Sequence, residues 1–483
     1  MPMKPILTLC ALALCGCTVG PDFHAPAAPE SQSYVRTSSQ QNLDTAAPQS
    51  FPSSDHALPL WWKQFGSDAL NVLVDRALND SPTLAQARAK LTQAREDYRA
   101  QAGTTYFPAI DASLSGSRQK VDPAAFGVPI PSPGPFTLYD ASVSVSYTLN
   151  VFGGERRALE SVRAQVDYQS FELDAARLSI AGNVVSTAIR RASLQRQITL
   201  TERLVDAQSR QLAIMEGRLN AGGIAQFDVR SQRTLLEQTR ASLPSLITQR
   251  DQADHRLAVL TGAEPSKADF DAITLESLHL PDSVPLTLPS TLARERPDIR
   301  ASEALLHQAS ANVGVATADL YPKFSLSAGA GSQRTHIGDM LNSLNVWNAG
   351  LNLTQPIFHG GELRAKKRSA EAAYDASLQS YRQTVLDALQ QVADSLTALQ
   401  NDAYTLRARE VAAHEAQANL DIANARYAAG GVSRFDLLDT QRQALQTQLD
   451  HALAQGNRLS DTAALYQSLG GAGEDMKAAY APQ

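Results

Sequence analysis

Residues 81–117 and 296–332 set out one plan twice, as SPTLAQARAKLTQAREDYRAQAGTTYFPAIDASLSGS and as RPDIRASEALLHQASANVGVATADLYPKFSLSAGAGS. Pro82 matches Pro297, and Pro108 matches Pro322. Further on, Gly153-Gly154-Glu155 matches Gly360-Gly361-Glu362, and AGGIAQFD at 221–228 matches AGGVSRFD at 429–436. All four pairs are separated by about 210 residues, far beyond a solenoid period, so the chain holds a duplicated half and not a repeat array. Any fold for it must use each pattern twice.

Within each half the hydrophobic period changes in the same order. Helical spacing runs over 83–104 and 299–320, with a proline soon after each end. The period then drops to two. From 139 to 151 the odd positions are Tyr139, Ala141, Val143, Val145, Tyr147, Leu149 and Val151, and the even ones are Asp140, Ser142, Ser144, Ser146, Thr148 and Asn150. A partner at 110–116 alternates Ile110, Ala112 and Leu114 with Asp111, Ser113 and Ser115. The second half repeats this with Phe324, Leu326 and Ala328, then with Trp347, Ala349, Leu351 and Leu353. The pattern predicts two hairpins, four strands of about ten residues, with the length and dyad alternation of transmembrane barrel strands. A one-sided sheet on a soluble core gives the same alternation in a single strand. Four such strands beside a helical remainder favour the membrane. The segments at their tips, VDPAAFGVPIPSPGPF and RTHIGDMLNSL, are long and turn-rich, as the outer loops of barrels are.

Helical pattern then runs over about 155–220 and 362–428. Roughly 65 residues at ~1.5 Å each make a helix on the order of 100 Å long, so these segments must project from any compact body. Their apolar residues form narrow seams, such as Val205, Leu212, Met215 and Leu219, or Val385, Leu389, Val392 and Leu396. Such seams fit a coiled-coil rod and equally a tube wall wetted on both sides. Composition agrees: aromatics are only 6%, and the polar segments are rich in Ala, Gln, Ser and Arg, which form helix and bury little area. Four strands cannot close a barrel, and open strand edges cannot face lipid. Several chains must therefore share one barrel, two giving eight strands and three giving twelve. The small Ser, Asn and Gly on the polar face argue for the larger, channel-forming number.

At the N-terminus, Lys4 precedes an apolar run over 6–15, of signal-peptide length and about half of what a membrane-spanning helix needs. All three cysteines lie in the first 17 residues, and the run ends Leu14-Cys15-Gly16-Cys17. This ending resembles a bacterial lipobox, in which residues 1–16 are removed and Cys17 becomes the acylated first residue. Ordinary secretory cleavage is the alternative; a Cys15–Cys17 disulfide is disfavoured by the short spacing. Each buried CH2 contributes roughly 0.8 kcal/mol, so two or more acyl chains hold firmly where one is marginal. Thr18 in place of Asp after the cysteine fits sorting to the outer membrane. The net charge of −6 offers nothing for electrostatic capture of nucleic acid. Nucleophile-elbow, P-loop, H-E-x-x-H and EF-hand patterns are absent, so neither an enzyme nor a cofactor is expected.

Together these residues resemble the TolC family of outer-membrane efflux ducts, and within it the lipidated OprM/NodT-type branch that serves RND-type pumps. The motifs are CTVGPDF at 17–23, WWKQF at 61–65, RPDIRASEA at 296–304, YPKFSL at 321–326, GGE at 360–362 and LGG at 469–471, and they cover nearly the whole chain. The resemblance implies an α+β membrane protein, a homotrimer with a shared 12-stranded outer-membrane β-barrel, a long periplasmic α-helical barrel and a mixed equatorial region. The corresponding division is a signal peptide at 1–16, a lipidated linker at 17–59 and a first repeat at 60–262 with its hairpin near 107–152. An equatorial insert at 263–289, a second repeat at 290–470 with its hairpin near 323–358, and a tail at 471–483 follow. Implied partners are a periplasmic adaptor protein, an inner-membrane RND transporter and outer-membrane lipid, with S-diacylglycerol and N-acyl groups on Cys17. The implied function is passive conduction of small toxic compounds or drugs. A lipid-anchored coiled-coil spacer without a pore, or a protein-secretion duct of a type I system, shares many of these features.

Paired glycines at Gly222-Gly223 and Gly430-Gly431 can join two helices by a tight turn with positive φ. The resemblance implies that these turns form the periplasmic tip, where the tube narrows and the adaptor docks. After the second turn comes SRFDLLD at 433–439, in which Asp436 and Asp439 share a helix face. The resemblance makes Asp436 and Asp439, with Phe435, Tyr427 and Arg426, a periplasmic gate. Arg426 and Tyr427 would brace its closed form; a solvated helix end is the alternative. A trimer would gather up to six carboxylates in a ring that attracts cations, some with raised pKa. For Asp436 the alternative is a capping box with Ser433 as N-cap. Asp439 has no capping role, and its counterpart in the first half is Ser231. The basic run Arg364, Lys366, Lys367 and Arg368 reads as a solvated or headgroup-facing patch.

Overall fold

The computed structural model describes residues 18–35, 49–120, 127, 134–267, 269–339 and 343–470. The signal segment, Cys17, most of the first hairpin loop, residues 340–342 of the second loop, and the tail lie outside the described residues. Two compact units form, one from Met1–Pro26, Leu91–Gln169 and Ser302–Tyr381, the other from Ala27–Lys90, Ser170–Ala301 and Arg382–Gln483.

The first unit carries an antiparallel sheet of four strands, β1 (Ala109–Gln119), β2 (Phe136–Leu149), β3 (Lys323–Arg334) and β4 (Val346–Thr354), lying side by side in sequence order. Both expected hairpins form, and β2 also pairs with β3, joining the two halves. Register runs straight across: Ile110 faces Val145, Val145 faces Ala328, and Ala328 faces Ala349; the next row is Ala112, Val143, Ala330 and Trp347. Because side chains alternate with period two, aligned rows keep every apolar set on one face and the Ser, Asn and Gly set on the other. Leu114 is 75% exposed and Trp347 81%, which is the state of a surface built to meet lipid. Phe107, Ile357 and Phe358 stand exposed beside one end of the strands, as an interfacial aromatic belt does. Among the described residues β1 and β4 are bonded on one side only.

Eight α-helices are described: α1 (Asp68–Asp80), α2 (Pro82–Tyr106), α3 (Gly154–Asn220), α4 (Gln226–Leu260), α5 (Pro289–Glu295), α6 (Pro297–Ala318), α7 (Glu362–Ala428) and α8 (Arg434–Ser468). Pro82 and Pro297 open α2 and α6, where a missing N–H costs nothing. Helices α3 and α7 are each 67 residues long without a break, so the duplicated sequence yields duplicated helices.

In the second unit, the seam of α7 is buried at Val385, Ala388, Val392, Leu396 and Leu399, while Leu389 is only half-buried. On α3 the buried line is Leu204, Ala207, Gln208 and Gln211, and the expected Val205, Leu212, Met215 and Leu219 are half-buried. The reason is a buried amide: Gln211 accepts a hydrogen bond from Gln232 of α4 at 3.2 Å, so a paired glutamine occupies a seam position that apolar spacing alone does not reveal. The motif WWKQF forms a single 3-10 turn with Trp61, Trp62 and Phe65 fully buried, and Trp61 stacks on Tyr466 of α8 at 5.5 Å. Residues before 60 and those of 263–289 pair with each other. Ser53–Ser54 runs parallel to Leu286–Thr287, Gln49 donates to the Pro281 carbonyl at 2.8 Å, and the Tyr34 hydroxyl donates to the Thr287 carbonyl at 2.8 Å.

Candidate functional site at the helix-turn tips

The tips lie in the second unit. At the first, Gly222 has φ +72°, its amide donates to the Leu219 carbonyl at 2.9 Å, and the Gly223 amide reaches back to Arg218 at 2.8 Å. At the second, Gly430 has φ +74°, donating to Tyr427 at 3.0 Å, and Gly431 reaches Arg426 at 2.7 Å. Both are Schellman stops. The left-handed residue must lack a Cβ strain, and the reach-back bond satisfies a carbonyl that the helix leaves orphaned. Arg426 and Tyr427 therefore serve the turn through their main-chain carbonyls. Among the described residues neither side chain has a polar partner within the chain, and Tyr427 is 41% exposed.

The helices that leave the turns start differently. Ser433 caps α8: its hydroxyl accepts the Asp436 amide at 3.2 Å and donates to the Asp436 carboxylate at 2.7 Å, while that carboxylate also accepts the Ser433 amide at 3.2 Å. At α4 the cap is Ala225, which has no side-chain acceptor, and only Asp228 reaches back, to the Ala225 amide at 3.3 Å. The capping reading of Asp436 is thus realised. Hydrogen bonds from Ser433 hold the Asp436 carboxyl below its usual range, with a smaller contribution from Arg218.

Asp439 sits one turn further on and is ion-paired with Arg442 at 3.1 Å, a partner three residues along the same helix. Phe435 is half-buried, whereas its counterpart Phe227 is 76% exposed. Further along, Arg409 of α7 pairs with Asp450 of α8 at 2.9 Å, and Arg233 of α4 with Glu216 of α3 at 2.5 Å, so among the polar contacts lacing the two hairpins these ion pairs run in opposite directions.

Composition and spacing did not single out the role of Arg296, in the motif RPDIRASEA. Its buried guanidinium donates to Asp298 at 2.9 Å, to the Ser468 carbonyl at 2.8 Å and to Gln391 at 2.5 Å, tying the start of α6 to α7 and to the end of α8. Burial is not visible in a linear string, so no signal marked it apart from the motif itself.

A model of the outer membrane efflux protein family matches residues 73–263 and 288–471. The pyoverdine export outer membrane protein OpmQ of Pseudomonas aeruginosa is 30% identical over 477 residues, covering 98% of this chain and 97% of that one. The toluene efflux pump outer membrane protein TtgI of Pseudomonas putida is 30% identical and covers 98% of each. Among solved structures, the outer-membrane channel OprN superposes with a TM-score of 0.81 at 29% identity, over 94% of this chain and 99% of that one. Matched across both halves, and sharing the fold of long helices with a four-stranded antiparallel sheet, the chain belongs to the outer membrane efflux protein family, as a TolC-like outer-membrane channel and not an enzyme.

Proposed function

We propose that three copies of this chain form the exit duct of a tripartite pump, with a periplasmic adaptor and an inner-membrane RND transporter beneath it and Cys17 lipidated beside it. The observation that carries the reading is the sheet. Its apolar face is continuous across four strands, yet among the described residues β1 and β4 each keep an unpaired edge, which lipid does not tolerate. Three chains close twelve strands, and a barrel of that size lined by Ser, Asn and Gly leaves a lumen. On this reading the duct is passive, and the transporter beneath it supplies the energy. Relatives named for pyoverdine export and toluene efflux support small molecules as cargo. At the far end of the helices, Asp436, Asp439, Phe435, Tyr427 and Arg426 form a gate on this reading, opened when the adaptor engages the glycine turns.

Single-channel recording on the purified protein in planar bilayers tests it. Discrete conductance steps are expected, and silence under every condition overturns the duct. Deleting the gene should raise susceptibility to a panel of small toxic compounds; an unchanged panel with impaired release of a secreted protein would assign protein cargo instead.

A further inference from the structure

We infer that residues 18–23, the TVGPDF after Cys17, are a docked strap whose receptor is Arg157, and that the strap positions the anchored end of the chain at the junction of β2 and α3. The docking stands on contacts inside the first unit. Its consequence for anchoring rests on the lipidation of Cys17 proposed above.

The Val19 amide donates to the Phe152 carbonyl at 3.1 Å, three residues beyond β2, where the Phe152 ring stacks on Tyr321 at 4.9 Å. Arg157, in the first turn of α3, is buried. It donates to Asp22 at 2.6 Å, to Glu160 at 2.8 Å and to the Val19 carbonyl at 3.4 Å. Glu160 in turn holds His307 of α6 at 2.8 Å, and the His307 ring stacks on Phe23 at 4.4 Å. One network of contacts therefore holds both ends of the strap. Charge-assisted bonds from a rigid guanidinium fork give such a contact direction as well as strength.

The groove that receives the strap is cut by glycines. A Cβ on Gly153 would lie 2.6 Å from Thr18, one on Gly20 would lie 2.5 Å from the Gly314 backbone, and one on Gly314 would lie 2.7 Å from the Arg157 side chain. The duplication supplies an internal control. Gly153, Gly154, Glu155 and Arg157 correspond to Gly360, Gly361, Glu362 and Arg364. In the second copy none of the described residues lies within 4 Å of a Cβ built on either glycine, and Arg364 is exposed. The same helix-start motif is thus filled in one half and empty in the other, so the strap, and not the motif alone, accounts for the burial of Arg157.

Thr18 is one peptide unit from Cys17, about 3.8 Å between Cα atoms. A free linker of n residues would let an anchor wander by roughly 5–6 Å × √n. Docking removes that freedom at Thr18, the residue next to the proposed anchor.

Hydrogen exchange with mass spectrometry on the intact, detergent-purified protein tests this. In the wild type, the Val19 amide within the peptide covering 18–23 should exchange at least about tenfold more slowly than a free amide. Arg157→Gln and Asp22→Asn should each abolish that protection while β2 stays protected; Asp22→Glu should restore it, and Arg364→Gln should leave it unchanged. Fast exchange of 18–23 in the wild type, or full protection in Arg157→Gln, overturns the strap. Mass analysis of the same digest reads the lipid on Cys17 separately. An unlipidated yet protected segment overturns the anchoring role and leaves the docking in place.

Discussion

Ser433 and Asp436 cap each other across the first turn of α8, the hydroxyl giving its proton to the carboxylate at 2.7 Å and taking the Asp436 amide at 3.2 Å. Ser433→Ala removes the cap and should cost about 1 kcal/mol in urea denaturation. Because the Asp436 carboxyl is held below its ordinary range, its support is complete above pH 3.8 and fades as pH falls below that value. Asp436→Asn keeps an acceptor and drops the charge. On the gate reading it should weaken block of the channel by divalent cations, and identical single-channel traces would leave Asp436 as a cap alone.

Asp439 is tied to Arg442 on its own helix, and both side chains keep contact with solvent. An exposed pair of this kind stabilises little. Asp439→Asn should therefore leave the thermal midpoint within about 1 °C of wild type while altering closed-state conductance. A large loss of stability with unchanged conductance would reverse the two roles.

Arg296→Ala should destabilise the chain by about 3 kcal/mol, since it leaves the buried Ser468 carbonyl without its donor and cuts the tie to Gln391. Arg296→Lys should recover only part of this, because an ammonium cannot serve three directions as a planar fork does. Chemical denaturation of the three proteins side by side checks both figures.

Val143 and Ser144 are neighbours on β2 with opposite facings. Val143 lies in the apolar row with Ala112 and Ala330, and Ser144 in the polar row with Asp111 and Gly329. Val143→Arg should cost about 2–4 kcal/mol in vesicle refolding, the penalty for a cation on the lipid face near mid-membrane. Ser144→Arg should assemble nearly as wild type and lower conductance. Equal penalties at the two positions would contradict the assignment of faces.

Asp461 of α8 lies beside Asp402 of α7, and burial together with that neighbour pushes its carboxyl up to about 7. Arg458 opposes the shift without cancelling it. The folded chain keeps the proton to about pH 7, whereas the unfolded chain loses it near 3.8. Stability should therefore fall as pH rises between those values and level off above. Asp461→Asn should flatten that decline, as read from thermal midpoints at pH 5 and pH 8.

Period and repetition carried far in this chain. A dyad pattern marks β1 to β4 because each strand shows one face to lipid and one to water, and a sustained helical pattern marks α3 and α7 because nothing in 67 residues interrupts it. The Gly430 and Gly222 turns were legible because only glycine takes that φ without strain. The α3 seam was misplaced by one residue because Gln208 and Gln211 are buried there, and a glutamine counts as polar until its partner is known.

Sequence alone thus determined the local order: which segments are helix, which are strand, which side of each strand is apolar, and that everything occurs twice. These follow from backbone sterics and side-chain periodicity, which act over a few residues. Tertiary structure decided what distant residues do to one another: the β2–β3 pairing that joins the halves, the three-way grip of Arg296, and the burial of Arg157 beneath the strap while Arg364 stays open. Two copies of one motif have the same local energetics. Only the chain that packs over one of them, and not the other, makes them different.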